Sequence, residues 1–225
     1  MSVFRDRAIP CPHCGVVARR EVALSVAAPR RPDVRAAILA DTFQRWRCDA
    51  CKKPQVVEGP LSYIDFDRRE FIGAYPAAWL ASWRSVEQEL VASFHSALEE
   101  FAPPLVQAIA AEGFFVRAVF GLTSLREKIL AHELGIDDHA LEAVKLDAER
   151  AGVVSLGAAE ICLASATAEK LVFTLGAGEF LDIPRARYEA IASDSAWAAT
   201  RAAVGPERGF VDRRRLYVEG NAPRV

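Results

Sequence analysis

The sequence predicts an α+β protein: a small antiparallel β-module over residues 1–76, then an α+β body over residues 77–225. Three observations lead there. Two Cys-x-x-Cys pairs, Cys11/Cys14 and Cys48/Cys51, interrupt alternating, β-branched runs in the first third of the chain. Apolar residues at helical spacing fill the stretch from about 80 to 152. Short β-branched runs return between about 160 and 183, followed by terminal helices and a strand.

Val16–Ala28 (VVARREVALSVAA) alternates and is expected to be a strand leaving the first Cys pair, stopped by Pro29-Arg30-Arg31-Pro32. Asp33 is a fitting N-cap for a short helix over Val34–Ala40. Phe43–Cys48 (FQRWRC) forms a strand into the second pair, with Phe43, Arg45 and Arg47 opposite Gln44 and Trp46. Gln55–Gly59 and Leu61–Asp67 are further strands, and a polar turn Asp67-Arg68-Arg69-Glu70 leads to Phe71–Pro76. So few strands have little core of their own, so a metal clip at one end of the sheet is expected.

In the body, Val86, Leu90, Phe94, Leu98 and Phe101 mark one helical face. Pro103-Pro104 ends that helix and opens the next, carried on by Leu105, Ile109, Phe115, Val116 and Val119. Ser124-Leu125-Arg126-Glu127 reads as a capping box for a helix that stops at Gly135. Asp137 or Asp138 caps a second helix ending at Gly152, so the two make an αα-hairpin. Ile161–Leu163, Leu171–Leu175 and Phe180–Ile183 are strands, with Gly176-Ala177-Gly178 a hairpin turn. Pro184 opens a helix to about Ala192, Trp197–Val204 is another, and Phe210–Val218 closes the chain.

Composition is that of a globular chain: 225 residues, 52 % apolar and 26 % charged. The net charge of −2 is unevenly spread. Residues 1–75 hold 13 Lys/Arg against 9 Asp/Glu, a balance of +4; residues 76–225 hold 15 against 21, a balance of −6. A mildly basic module beside an acidic body suits an anionic partner, or the cations offset charge within the protein itself. Residues 1–7 hold no apolar core of signal-peptide length, and Phe101–Phe120 is interrupted by Pro103, Pro104, Gln107, Glu112 and Arg117, so neither export nor a membrane span is expected. The expected location is the cytoplasm, where paired thiols serve as metal ligands rather than disulfides.

The chemistry is concentrated in the cysteines. Thirty-three residues separate the two pairs, and each pair aims two thiols at one point. Cys11, Cys14, Cys48 and Cys51 make the ligand set of one structural Zn²⁺, with no position left open. Iron in a rubredoxin-like site takes the same ligands. A thioredoxin-like dithiol is disfavoured, because only ten residues precede Cys11 and a strand rather than a helix follows Cys14.

These residues resemble the CpXC family of bacterial proteins, named for a Cys-Pro-x-Cys knuckle. The resemblance lies in Ile9-Pro10-Cys11-Pro12-His13-Cys14-Gly15, Trp46-Arg47-Cys48 and Pro60-Leu61-Ser62-Tyr63-Ile64-Asp65. It continues in Gly121-Leu122, Leu125-Arg126-Glu127-Lys128-Ile129, Gly135-Ile136-Asp137-Asp138, Glu142, Lys145-Leu146 and Phe210-Val211-Asp212, so it covers most of the chain. It implies a cytoplasmic, zinc-binding protein and no established reaction. The second knuckle departs from the family's habit of a Pro and a following Gly, since it reads Cys48-Asp49-Ala50-Cys51-Lys52.

The expected function is therefore that of a non-enzymatic, cytoplasmic zinc-binding protein, an interaction or regulatory module whose partner is another protein. The alternative is nucleic-acid binding through Arg45, Arg47, Lys52, Lys53, Arg68 and Arg69, interleaved with Trp46, Tyr63, Phe66 and Phe71. A lesser alternative is an enzyme or redox protein. For the enzyme, His132, Asp137, Asp138 and His139 would have to converge, although helix-end and N-cap roles already account for the two Asp. His132-Glu133 is no zincin motif, because Ile136 stands where the second His is needed. His13 should point outward and Cys162 should be a buried small hydrophobe. No catalytic residue, small-molecule substrate or membrane partner is expected.

Overall fold

Alternation in the first third of the chain builds a sheet, and helical periodicity after it builds layers against sheets. The computed structural model describes residues 1–155, 161–176 and 178–218. It is an α+β fold, and the chain divides into two compact units.

The first unit comprises Met1–Trp79 and Leu90–Leu125. Strand β1 (Val3–Pro10) runs into the first Cys turn and pairs antiparallel with β2 (Val17–Ala27). Helix α1 (Pro32–Leu39) starts with Pro in its first turn, where the missing N–H costs nothing, while Asp33 holds Arg31 rather than capping. The short strands β3 (Arg45–Arg47) and β4 (Pro54–Val56) form a separate two-stranded ribbon across the second Cys turn. Strand β5 (Leu61–Asp65) lies parallel to β2 and antiparallel to β6 (Glu70–Tyr75). The chain returns through α2 (Trp83–Phe94), a wider π-type turn His95–Glu100 and α3 (Pro104–Ala111) to β7 (Phe115–Phe120), which lies parallel to β6. The order is β1-β2-β5-β6-β7. Phe71 and Phe94 meet edge to face at 5.3 Å, and Phe94 lies 5.6 Å from Phe114, giving this sheet an aromatic core. Gly73 is needed there, because a Cβ would come within 2.5 Å of Leu90 Cδ1.

The second unit comprises Leu80–Glu89 and the described residues from Arg126 onward. Helix α4 (Leu122–Glu133), which enters this unit at Arg126, is followed across residues 134–137 by α5 (Asp138–Arg150), and the Asp137 carboxylate accepts from Ala140 N at 2.7 Å as the N-cap. Strands β8 (Ile161–Ala166), β9 (Lys170–Leu175) and β10 (Glu179–Pro184) form an antiparallel meander, followed by α6 (Arg185–Ser193) and α7 (Ala198–Ala203). Leu141, Val144, Ile161, Leu163, Phe173 and Ile191 form the heart of its core.

Several expectations change. The module's sheet is mixed rather than purely antiparallel, because α1 and the ribbon separate β2 from β5 and the helices separate β6 from β7. Residues 115–120, read as helix, form β7: the run FVRAVF is β-branched and aromatic, and a short apolar run fits either period. Residues 3–10 form a strand whose pattern is masked by alternating charges. The strands expected over 43–48 and 55–59 shrink to three residues each. Helix α4 begins at Leu122, so Ser124-Glu127 is not a capping box; Glu127 is drawn into the interior. Residues 210–218 carry a 3₁₀ turn, Arg213–Leu216, instead of a strand. Ala177, at the centre of the expected Gly176–Gly178 turn, lies outside the described residues, but β9 and β10 do pair across it. Among the described residues, no helix is long and apolar enough to cross a membrane.

Candidate metal centre

Both Cys pairs sit in the same backbone turn. In the first, Cys11 N donates to Val16 O and Gly15 N donates to Cys11 O, each at 2.9 Å. In the second, Cys48 N donates to Lys53 O at 3.0 Å and Lys52 N donates to Cys48 O at 2.9 Å. The turn requires a left-handed residue after the second Cys, met by Gly15 at φ +75° and by Lys52 at φ +59°. A lysine in that region costs about 1–2 kcal/mol relative to its relaxed backbone. Its Nζ donates to Asp49 O at 2.6 Å, which helps hold the turn without the glycine.

The turns bring all four sulfurs within 4.8 Å of one another. Cys11 Sγ lies 3.7 Å from Cys51 Sγ, and Cys14 Sγ lies 3.7 Å from Cys48 Sγ. Those lengths are far beyond a disulfide of about 2.05 Å. Four sulfurs each about 2.3 Å from one tetrahedral ion stand about 3.8 Å apart along every edge, so the donor set fits a single metal ion. Cys11 and Cys48, the first of each pair, are buried, whereas Cys14 is exposed and Cys51 half-buried.

Cys48 and Cys14 are shifted in opposite directions. Backbone N–H groups of Cys51 and Ala50, turned toward the Cys48 sulfur, bring that thiol down to about 6 against the opposing effect of burial. At Cys14 the N–H of Val16 favours the thiolate, but desolvation and hydrogen bonds with Cys48, Cys51 and Cys11 push it up to about 12. Four adjacent thiolates thus need a cation among them. Nearby, Arg20 on β2 donates to Asp49 at 3.0 Å and lies 6.0 Å from the Trp46 ring, so β2 is tied to the second knuckle. His13 is exposed, as expected of a side chain between two cysteines.

The six basic residues singled out in the sequence fall into two groups. Arg45, Arg47, Lys52 and Lys53 belong to the ribbon and its knuckle; Arg45 is paired with Asp41 at 2.7 Å. Arg68 and Arg69 occupy the β5–β6 turn, where Asp65 lies 3.5 Å from Arg68 and Glu112 pairs with Arg69. The aromatics interleaved with them form no stacking platform. Tyr63 is 0 % exposed, Phe71 is buried, and Phe66 and Trp46 are half-buried, with Phe66 packed against Phe114.

Of the residues around the α4–α5 turn, Asp137, Asp138 and His139 bring ligand atoms within 4.8 Å of one another, and His132 is not in that group. Each has a structural task. Asp137 caps α5, Asp138 lies 3.2 Å from Lys128, and the His139 ring contacts Asp138 at 3.4 Å and Pro206 O at 3.2 Å. Cys162 is buried in β8, and burial pushes its thiol up to about 12, which makes it unreactive.

Sequence reasoning missed a buried ionic cluster in the second unit. Lys145 Nζ lies 2.7 Å from both Glu127 Oε2 and Glu142 Oε1, and Lys128 also reaches Glu142, at 3.4 Å. Glu127 Oε1 accepts from Leu163 N at 2.5 Å, and Glu142 Oε2 accepts from Arg213 N at 3.2 Å. Arg213 then bonds Glu149 at 2.8 Å, and Asp212 bonds Arg214 at 3.0 Å. Burial alone would raise the Glu142 carboxyl; Lys145 and Lys128 hold it below the ordinary range. The cluster ties α4 and α5 to each other, to β8 and to the C-terminal turn. The signal was slight: Lys145 stands four residues after Leu141, on the apolar stripe of α5. Glu127, Lys128, Asp138, Glu142, Lys145 and Asp212 are also among the residues that carry the family resemblance.

The family model described as CpXC protein matches residues 9–145, more than half of the chain. No curated protein and no solved structure matches it.

Proposed function

The chain belongs to the CpXC protein family, and from that premise we propose that it is a non-enzymatic, cytoplasmic zinc-binding protein whose single Zn²⁺ clips the N-terminal module into shape for binding another protein. The observation that carries this reading is the pair of 3.7 Å sulfur–sulfur distances, close to a tetrahedral edge. Cys11, Cys14, Cys48 and Cys51 would hold the ion as thiolates. Zinc rather than iron is favoured because the metal's role here is to close two turns, which asks for no redox change. Four sulfurs fill the coordination sphere, so no position remains for an activated water, and hydrolysis at the metal has no route. The ion ties the β1–β2 turn to the β3–β4 ribbon, two segments whose own cores are small.

A protein partner suits the module better than nucleic acid, because Tyr63 and Phe71 are buried and Arg45, Arg68 and Arg69 are already paired with carboxylates. Elemental analysis tests the zinc reading: one zinc per chain is expected, lost in Cys48→Ser. A parent chain purified without a stoichiometric metal, or a variant that keeps it, would overturn it.

A further inference from the structure

We infer that one face of the β3–β4 ribbon is a docking groove for an extended acidic segment of a partner protein, with Arg47 as its anchor. The inference rests on the reading of the metal clip as a scaffold for protein recognition, and it names the partner's chemistry. A groove of about 470 Å³ runs along the ribbon, lined by Arg45, Trp46, Arg47, Pro54, Gln55 and Val56. In the antiparallel register Arg45 stands opposite Val56 and Arg47 opposite Pro54, so these four share one face. Trp46 and Gln55, opposite each other, belong to the other face.

The shared face combines an apolar floor with positive charge. Pro54 is exposed and Val56 is 42 % exposed, which leaves an apolar strip in solvent. Arg45 is committed to Asp41. Arg47 reaches the Lys52 carbonyl, at 3.4 Å, and has no carboxylate partner among the described residues. Lys52 is held by the knuckle through Asp49 O. The groove therefore offers the unspent Arg47 guanidinium beside apolar carbon, and the complement is a carboxylate next to an aliphatic side chain.

The two arginines are one strand repeat apart, about 6.7 Å, which is the spacing of alternate side chains in an extended peptide. An acidic residue two positions from the one on Arg47 would share Arg45 with Asp41. Single-stranded nucleic acid fits less well. Base binding needs an exposed ring, whereas the Trp46 ring lies on the opposite face beside Arg20.

Fluorescence polarisation on the metal-loaded full chain tests this, with labelled short peptides of alternating Asp and Val, the same peptides carrying Lys for Asp, and a thymidine oligonucleotide. The acidic peptide should bind most tightly, and Arg47→Glu should weaken it by about tenfold or more. Equal binding by Arg47→Glu, no binding of the acidic peptide, or tighter binding of the oligonucleotide would overturn the groove. Zinc content measured on the same samples separates the two readings. Failure to bind peptide with one zinc per chain removes the groove alone, whereas a parent without zinc removes the clip on which it stands.

Discussion

Replacing Lys145 with methionine should unfold the second unit long before it affects the metal centre. The ammonium is 2 % exposed and equidistant, at 2.7 Å, from Glu127 Oε2 and Glu142 Oε1. Methionine fills much of the same volume but leaves both carboxylates without that cation. Glu142 keeps Lys128 at 3.4 Å and the N–H of Arg213. Glu127 keeps the N–H of Leu163 and loses the Lys145 ammonium at 2.7 Å. Breaking a buried pair in this way costs about 3–5 kcal/mol, because one charge stays buried uncompensated. That is a large share of a total stability of about 5–15 kcal/mol. At roughly 4 °C per kcal/mol the melting temperature should fall by roughly 12–20 °C. Urea unfolding followed by circular dichroism gives the free energy directly. Adding Glu127→Gln to Lys145→Met removes the orphaned charge and should recover about 1 kcal/mol or more, a coupling absent from Glu127→Gln alone. A single variant within about 1 kcal/mol of the parent, or a strictly additive double variant, would refute the buried cluster.

Acid should act through the same groups. Glu142 and Asp212 are both held below the ordinary carboxylate range, mainly by opposing burial with Lys145, Lys128 and Arg214. A depressed folded-state value means the unfolded chain takes up protons first. Their contribution is therefore full above the ordinary range of about 4 and is lost as pH falls below it; a urea midpoint unchanged between pH 6 and about 3 would contradict this. Gly73→Ala should destabilise the first unit by about 1–3 kcal/mol, since the added methyl meets Leu90 Cδ1 at 2.5 Å, and a thermal melt reads the effect.

The metal site was legible because its signal is local. Two residues between cysteines dictate a turn, and two such turns converge on one ion whatever else the sheet does. The second turn shows the limit of reading by type: Lys52 stands where glycine is customary, yet the hydrogen bonds of both knuckles follow one pattern. Asp137 was legible as a cap for the same local reason. The parallel pairings of β2 with β5 and β6 with β7 were not, since nothing in an isolated strand records its partner. Phe115–Phe120 was misread because six apolar-rich residues satisfy both periods. Glu127, Glu142 and Lys145 were invisible as core because acid–base pairs at helical spacing ordinarily belong to a solvated face. Only tertiary packing around α5 makes them interior.

X-ray absorption at the metal edge of the purified protein tests the clip most directly. A zinc edge is expected, with a first shell of four sulfurs at about 2.3 Å and no lighter scatterer. An iron edge, or a shell in which nitrogen or oxygen replaces any of the four sulfurs, would contradict it.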